Sequence, residues 1–344
     1  MIAFAFLVAA ASVQVTPSSF LEAKEPQIAI DRDHTIYIAY GMGNSIYVSK
    51  SIDEGESYAS PIKVGELPKL ALGMRRGPRI AIGGEKVVIT AISHETGLLV
   101  AFRSGDNGRT WSRPVPVNDS AGSAREGLHA MAAAPDGTLA CTWLDLRSKG
   151  TKLYLSTSKD GGASWSTNRL VYESPSGTVC ECCHPSIAFD SKDRLFVMFR
   201  NFVNGSRDMY LTSSSDLGAT WLPATKLGQG TWPLDACPMD GGSFAFDAKG
   251  AVQSVWRREG TLYRSGANGI ERLFAEGRQA WISQGSAGPF TVWTDGQRIL
   301  ASTPTEKVLE LSRAGSDSTV ATSPDEALTV AAWTENGIRA TRLR

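Results

Sequence analysis

The stretch Ser158-x-Asp160-x-Gly162-x-x-Trp165 decides the fold of this chain, because it is one of four copies of the same phrase. The other copies are Ser51-x-Asp53-x-Gly55-x-x-Tyr58, Ser104-x-Asp106-x-Gly108-x-x-Trp111 and Ser214-x-Asp216-x-Gly218-x-x-Trp221. Successive aspartates lie 53, 54 and 56 residues apart. Self-similarity at such a period indicates a repeat architecture in which every repeat is one supersecondary unit.

Each copy of the phrase is typical of a turn between two strands. Ser and Asp side chains accept hydrogen bonds from nearby backbone N–H groups, and Gly supplies a backbone conformation that is closed to other residues. An apolar or aromatic run precedes each copy, and a short extended run follows it. The same residues recur in four places, so we assign them a structural role: Asp53, Asp106, Asp160 and Asp216.

The phrase resembles the Asp box of the sialidase (BNR-repeat) superfamily of β-propellers, and the resemblance covers at least residues 26–225. It implies an all-β fold whose blades have four antiparallel strands, with the box joining the third strand to the fourth. On that phase, four units begin near Gln27, Pro78, His129 and Ser186.

Strand patterns continue after the last box. A fifth unit begins near Gly242 and a sixth near Ala280, and three strands of a seventh begin near Thr319. The extended segment at residues 12–17 can supply the missing strand and close the ring, which removes the sheet edges. We therefore predict a single-domain β-propeller over residues 12–344 with seven four-stranded blades, the alternative being six.

The composition agrees with many short strands joined by tight turns. The chain has 344 residues with 34 Gly, 16 Pro and only 20% charged residues. It carries 35 basic and 35 acidic residues without a basic block. We therefore expect neither a nucleic-acid surface nor a polybasic membrane surface, and we expect a monomer.

The N-terminus carries a run of ten apolar residues, Ile2–Ala11. A helix needs about 20 apolar residues to span a bilayer, so we expect no stable membrane insertion. Ala9 and Ala11 suit a signal-peptidase site, although no basic residue precedes the run. We expect residues 1–11 to be a signal peptide and the protein to be secreted or periplasmic; the alternative is a buried strand.

The order of the strands in each blade places the majority of the unusual polar residues on the face opposite the Asp boxes. Arg147, Arg200 and Arg257 follow the second strand in consecutive blades, and Arg76 lies in a loop between blades. Clustered guanidinium groups suit the capture of a carboxylate or another anion. The resemblance adds that sialidases bind the sialic acid carboxylate with three arginines.

Glycoside hydrolysis needs two carboxylates flanking the sugar. Glu126, Asp145 and Asp240 are the catalytic candidates on this face, with His129 as a proton carrier. The chain departs from the sialidase pattern at Gln27, where the family has its first arginine, and it has no evident tyrosine nucleophile. Two functions stay open: a glycoside hydrolase of the exo-sialidase type, and a non-catalytic propeller that binds a carbohydrate or another anionic ligand or serves in assembly.

Four of the five cysteines fall in the loops before blades four and five: Cys180, Cys182, Cys183 and Cys237. We expect a disulfide from the cluster to Cys237, with the other two thiols bridged or free. Two alternatives stay open. One is a c-type haem attached at Cys180-x-x-Cys183-His184, and the other is a soft-metal site formed by the cysteine thiolates with His184 and Met239. We expect no metal and no cofactor, and an inert buried thiol at Cys141.

Overall fold

The computed structural model describes residues 12–266 and 269–344, together with the backbone of Leu7–Val8. Seven sheets, each with four antiparallel strands in meander order, form the fold. The strands are short, and one 3-10 helix, Ser18–Phe20, occurs in the described part of the chain. The prediction of an all-β propeller with seven blades is confirmed.

The strand bounds follow the repeat. Blades one and two contain Lys24–Ile30, Ile36–Met42, Ser45–Ser51 and Ile62–Glu66, then Arg79–Gly83, Lys86–Ile92, Leu99–Ser104 and Val115–Pro116. Blades three and four contain His129–Ala133, Leu139–Asp145, Lys152–Ser158 and Arg169–Tyr172, then Ser186–Phe189, Leu195–Val203, Ser206–Ser214 and Thr225–Lys226. Blades five and six contain Ser243–Phe246, Val252–Arg258, Thr261–Ser265 and Glu271–Glu276, then Arg278–Gly285, Gly288–Asp295, Arg298–Ser302 and Val308–Ser312. Blade seven contains Ser316–Thr322, Thr329–Thr334, Ile338–Arg342 and Val13–Gln14.

The N-terminal segment closes the ring. Val13 pairs with Ala340 in an antiparallel ladder, so Val13–Gln14 is the outer strand of blade seven, as predicted. Leu7–Val8 adds a parallel strand to the outer edge of blade six. The rest of the predicted signal peptide, residues 1–11, lies outside the described residues. In the part of the chain that the structure describes, no helix has the length and apolar character needed to cross a membrane.

The Asp boxes are networks of short-range hydrogen bonds. Ser158 Oγ donates to Asp160 Oδ1 at 2.8 Å, and the Gly162 N–H donates to Ser158 Oγ at 2.9 Å. Ser164 donates to both oxygens of the Asp160 carboxylate. Equivalent bonds form at Asp53, Asp106 and Asp216. Hydrogen bonds from Ser57 and Ser51 lower the pKa of Asp53 to about 2.

Each box also packs against the preceding blade. Gly218 has φ +81°, and a Cβ atom built on it would lie 2.4 Å from Leu155 Cδ2 of blade three. Gly108 approaches Tyr37 of blade one in the same way. The aromatic residues of the boxes are partly buried against the apolar layers between blades. The repeat therefore supplies both the turn and a contact between blades.

Strand direction assigns the loops to two ends of the central channel. The first strands contact one another around a closed ring and line the channel. The box turns and the hairpins between first and second strands share one end. The loops that join consecutive blades share the other end with the hairpins between second and third strands, and we call this end the mouth.

Candidate functional site

The central channel contains a cavity of about 460 Å³ lined by the first strands of all seven blades. This volume is in the range of small-molecule sites. Polar and aromatic residues line the cavity toward the mouth: Gln27, Arg79, Ser186, Ser243, Trp281 and Thr319. Apolar residues such as Phe189 and Phe246 line it toward the Asp boxes. The chemistry available to a ligand therefore lies at the mouth.

Arg75 spans the mouth. It lies in the loop between blades one and two, and its Nη1 donates to the Ser318 carbonyl of blade seven at 2.7 Å. Its Nη2 contacts the Gln279 carbonyl of blade six. The guanidinium lies 5.5 Å from the centre of the Trp281 ring, and the side chain is 1% exposed. One arginine thus connects three blades beside the cavity.

Arg79 adds a second buried positive charge. It lines the cavity, is 3% exposed and donates only to backbone carbonyls, those of Gly77, Pro78 and Arg75. Burial lowers the pKa of Arg79 to about 10, so it stays charged at neutral pH. No carboxylate within the described residues forms an ion pair with Arg75 or Arg79, and the Nε atoms of both have no hydrogen-bond partner there.

Glu25 lies next to the two arginines but does not neutralise them. Its Oε1 accepts a hydrogen bond from the Arg75 backbone N–H at 3.0 Å, and the residue is 2% exposed. Burial raises the pKa of Glu25 to about 8, the charge of Asp317 adds to the effect, and Arg75 and Arg79 oppose it. At neutral pH the carboxyl is therefore largely protonated, so it does not cancel the charges of Arg75 and Arg79.

His184 and Asp240 complete the mouth cluster, which we define as Glu25, Arg75, Arg79, His184 and Asp240. His184 Nδ1 accepts from the Gly241 N–H at 3.3 Å, so Nε2 carries the proton of the neutral ring; Nε2 has no partner among the described atoms. The ring stacks on Trp281 with centroids 5.5 Å apart. Burial lowers the pKa of His184 well below its usual value, and three arginines add to the effect.

Asp240 presents one unused carboxylate oxygen. Oδ2 accepts from the Gln279 N–H at 2.8 Å, whereas Oδ1 is buried with no hydrogen-bond partner in the described structure. Burial raises the pKa of Asp240, and the neighbouring Arg200, Arg75 and Arg257 oppose the shift. Buried polar atoms without a partner are uncommon, so the Asp240 Oδ1 acceptor and the His184 Nε2–H donor are two groups of the mouth cluster that a ligand or water would satisfy.

The backbone at the mouth is strained. Several non-glycine residues there have left-handed φ values, and those of Glu25, Arg75, Met239, Gln279 and Asp317 are 53–66°. Glu25, Gln279 and Asp317 lie at irregularities in the first strands of blades one, six and seven. Such strain persists where the surrounding structure enforces it, and it clusters at functional sites.

Two predicted catalytic residues lie near the mouth cluster. His129 is fully buried, its Nε2 lies 3.0 Å from Thr90 Oγ1, and its Nδ1 has no partner among the described residues. Burial and the charge of Arg79 lower the pKa of His129. Glu126 is half-buried, and its carbonyl accepts from Arg76 Nε at 2.7 Å. Burial raises the pKa of Glu126.

Asp145 and Arg147 bind each other rather than lining the cavity. Asp145 accepts from Trp143 Nε1 at 2.8 Å and from Arg147 Nε at 2.9 Å. Arg147 also contacts Asp119 and Asn168, and its guanidinium lies 4.1 Å from the Tyr154 ring centre. Their contacts tie the ends of blades two and three together.

Arg200 and Arg257 both contact Trp232, in the loop before blade five, with their guanidinium groups 5.2 and 5.5 Å from its ring centre. Arg200 is 2% exposed and donates to three backbone carbonyls, those of Asp240, Arg207 and Arg257. Arg257 lies 3.9 Å from Asp240 Oδ2. Both predicted arginines therefore approach the mouth cluster at Asp240, Arg200 through the backbone carbonyl and Arg257 through the carboxylate.

No role was predicted for Glu25, Arg75 or Arg79 from the sequence alone. The Pro78-Arg79-Ile80-Ala81 stretch carries a signal for Arg79, because it resembles the arginine phrase that sialidases have one blade earlier. Glu25 carries no such signal. Its burial depends on Gly77 and Thr334, which come from other blades.

The predicted disulfide between the two loops is present. Cys182 and Cys237 form a disulfide with their Cα atoms 6.1 Å apart, as the loop positions predicted. Cys180 and Cys183 are free thiols with their Sγ atoms 2.8 Å apart, and Cys141 is buried and free. Cys180, Cys183 and His184 are at most 2% exposed, which does not fit haem attachment at these residues.

Comparison with known proteins agrees with this fold. Residues 86–238 match the model of the BNR repeat-like domain family, and no curated protein matches the sequence. A catalytically inactive variant of virginiamycin B lyase from Staphylococcus aureus is 13% identical, with a TM-score of 0.58 over 97% of this chain and 99% of that one. The Hadza microbial sialidase is 14% identical (TM-score 0.57, 96% of this chain, 68% of that one). The α-L-arabinofuranosidase Arb93A from Fusarium graminearum is 12% identical (TM-score 0.57, 98% of each chain). Residues 86–238 of this seven-bladed β-propeller are therefore similar to the BNR repeat-like domain family, and the likeness to the three solved structures concerns the fold alone.

Proposed function

We propose that the protein is exported and binds an anionic, sugar-sized ligand at the mouth side of its central cavity. The observation that carries this proposal is Arg79, which is buried, lines the cavity and has no carboxylate partner in the described structure. A buried charge without a counter-ion is costly, so an anion that occupies the cavity would offset this cost.

Two neighbours support the same ligand class. Arg75 adds a second guanidinium, and the protonated Glu25 forms no ion pair with either arginine. Trp281 supplies an aromatic wall beside them. A largely apolar cavity with a few convergent polar groups is the usual lining of a small-molecule site. A carboxylated sugar would place its acid group at the arginines and its ring against Trp281.

Titration calorimetry with glucuronate, N-acetylneuraminate and the neutral methyl glucoside tests this proposal. We expect an acidic sugar to bind more tightly than the neutral one. Arg79→Met should weaken its binding by about 10- to 100-fold, because a hydrogen bond to a charged group contributes about 1.5–3 kcal/mol.

Arg264→Met is the matched control. Arg264 is 5% exposed and also has unpaired donor atoms, but it lies in the third strand of blade five against Phe274. Its loss should leave binding unchanged. Equal binding by Arg79→Met and the unmodified protein, or no binding of any acidic sugar, would refute the proposal.

Glycoside hydrolysis is the second candidate function, and the unpaired Asp240 Oδ1 favours it. Glu25 has the protonation state that a general acid needs at neutral pH, and Asp240 is the candidate second carboxylate. The sialidase and the arabinofuranosidase that share the fold are named for such reactions.

A panel of nitrophenyl glycosides that includes an α-sialoside and an α-arabinofuranoside tests hydrolysis. Asp240→Asn should lower turnover by at least about 100-fold, the usual size of a general acid–base contribution. Asp235→Asn, in the exposed part of the same loop, should not change it. Absence of turnover on every substrate excludes this candidate and leaves the binding proposal standing.

The proposed export has its own test. The Cys182–Cys237 disulfide fits an oxidising compartment. N-terminal sequencing of protein recovered outside the cytoplasm should start directly after residue 11. An intact N-terminus, or protein found only in the cytoplasm, would exclude the signal peptide.

A further inference from the structure

The four loop cysteines form a continuous row of sulfur atoms. Cys180 Sγ lies 2.8 Å from Cys183 Sγ and 3.8 Å from Cys182 Sγ, and Cys182 is bonded to Cys237. Cys180, Cys182 and Cys183 are buried, whereas Cys237 is exposed. A buried dithiol thus touches one end of a disulfide whose other end faces solvent.

Cys180 is the nucleophile of this row. Arg207 Nη1 donates to its sulfur at 3.3 Å. A hydrogen bond with Cys183, together with the charges of Arg200 and Arg207, lowers the pKa of Cys180 to about 7. Burial raises the pKa of Cys183 well above its usual value, so Cys183 keeps its proton at neutral pH. The thiolate is the reactive form in exchange, and Cys180 supplies it.

We propose that the disulfide of this protein moves between two cysteine pairs, from Cys182–Cys237 to Cys180–Cys183, by intramolecular exchange. In the first step the Cys180 thiolate attacks Cys182 Sγ and a Cys180–Cys182 bond forms. The Cys182–Cys237 bond breaks, and Cys237 leaves as a thiolate that solvent water stabilises and protonates.

In the second step Cys183 Sγ attacks Cys180 Sγ across 2.8 Å, and the Cys183 proton passes to the leaving Cys182 Sγ, which lies within 4.8 Å of it. The Cys180–Cys183 bond forms, the Cys180–Cys182 bond breaks, and Cys182 leaves as a thiolate that takes up this proton. One disulfide and two thiols exist before and after the two steps. The exchange therefore needs neither an oxidant nor a reductant.

The exchange would release the loop that carries part of the mouth. Within the described structure, residues 235–239 are held by the disulfide at Cys237, by packing of Met239 on the buried cysteines and by a 3.5 Å contact from Arg257 Nη1 to the Pro238 carbonyl. The Asp240 backbone N–H donates to Cys183, the thiol that the second step consumes. Both changes would act on the position of Asp240 relative to His184, so the exchange would regulate ligand binding. This consequence rests on the proposed function, whereas the exchange itself does not.

Native alkylation tests the exchange. The folded protein is incubated with N-ethylmaleimide under anaerobic conditions without added thiol, and the labelled sites and disulfides are mapped by tandem mass spectrometry. We expect label on Cys182 and Cys237, a Cys180–Cys183 disulfide, and faster labelling at pH 8 than at pH 6. Cys141 should stay unlabelled, which shows that the label did not enter through unfolding.

Two variants separate the steps. Cys180→Ser removes the nucleophile, so Cys237 should stay protected. Cys183→Ser stops the reaction after the first step, so Cys237 should be labelled while a Cys180–Cys182 disulfide accumulates. Cys141→Ser is the control and should react like the unmodified protein.

Three results would overturn the exchange: label confined to Cys180 and Cys183, two closed disulfides with no label, or labelling of Cys237 that persists in Cys180→Ser. Glucuronate titration of the alkylated protein tests the link to the mouth. If alkylation leaves the affinity for glucuronate unchanged, the exchange does not regulate ligand binding, although the exchange itself still stands. If glucuronate and N-acetylneuraminate bind to neither form, the proposed function fails while the thiol map still decides the exchange.

Discussion

The Nη1 atom of Arg75 lies 2.7 Å from the carbonyl oxygen of Ser318, so one side chain joins the loop between blades one and two to the first strand of blade seven. The N-terminal strand closes the ring at the outer edge of blade seven. The arginine connects the same neighbouring blades near the axis, at the mouth.

Arg75→Met should destabilise the fold, because it removes hydrogen bonds from a charged donor to the buried Ser318 carbonyl and the partly buried Gln279 carbonyl. We expect a loss of about 2–3 kcal/mol in the free energy of unfolding, measured by urea denaturation. Arg76→Met changes the next residue, which is only partly buried, and should cost less than about 1 kcal/mol. Equal losses in the two variants would contradict the role of Arg75.

Glu25 should make the protein less stable as the pH rises. Its pKa is raised to about 8 in the folded state from an ordinary value near 4.5, so the folded state holds a proton that the unfolded chain has lost. Its contribution is fully present below pH 4.5 and is lost as the pH rises toward 8, at up to about 1.4 kcal/mol per pH unit. Glu25→Gln should remove this slope while its amide oxygen keeps the bond from Arg75. Urea denaturation between pH 5 and 8 measures the difference, and parallel curves for the two proteins would exclude the shift.

Gly218→Ala tests the contact between boxes and blades. The new methyl group would meet Leu155 at 2.4 Å and would force alanine into a left-handed conformation, at a combined cost of roughly 2–4 kcal/mol. Gly250→Ala separates the two effects, because Gly250 has φ +75° but no atom within 4 Å of the added carbon. It should cost roughly 1–2 kcal/mol. Thermal and urea unfolding of both variants measure the contrast, and equal costs would mean that packing against Leu155 is unimportant.

His34 should act as a pH-dependent link between blades one and seven. Its Nδ1 lies 3.2 Å from Glu54 and its Nε2 lies 2.9 Å from Asp325 of blade seven. Hydrogen bonds to Asp325 and then Glu54 raise the pKa of His34. Its contribution is therefore fully present below the ordinary histidine pKa of 6.5 and is lost as the pH rises through the raised value.

The melting temperature of His34→Gln, compared with the unmodified protein, measures this link. The variant should melt slightly lower at pH 5.5, and the difference should shrink at pH 8 and in high salt, because the groups are exposed. A difference that grows with pH would have the wrong sign for this histidine.

The blade pattern could be predicted because it depends on short-range contacts. In each box, the serine bonds to the aspartate two residues away and to the glycine N–H four residues away. The strands of blade six, which has no box, could be predicted equally well because their apolar runs have the length and spacing of those in the other blades. The disulfide could be predicted in part, because adjacent loops bring the cysteines at 180–183 near Cys237. Which of these cysteines bonds to Cys237 depends on side-chain direction.

The sequence by itself determined the propeller, its seven blades and the face on which unusual polar residues gather, since neighbours along the chain specify turns and strands. Only the tertiary structure decided which of those residues meet. Arg75 and Ser318 are 243 residues apart, and the Gly241 N–H that meets His184 is 57 residues further along the chain. Tertiary contacts also distinguish Arg79 from Arg147. Arg79 lines the cavity without a counter-ion, whereas Arg147 donates hydrogen bonds to Asp145, Asp119 and Asn168. The four boxes specify the turns of the blades. Closure of the blades into a ring then brings the residues of the mouth cluster together: Glu25, Arg75, Arg79, His184 and Asp240.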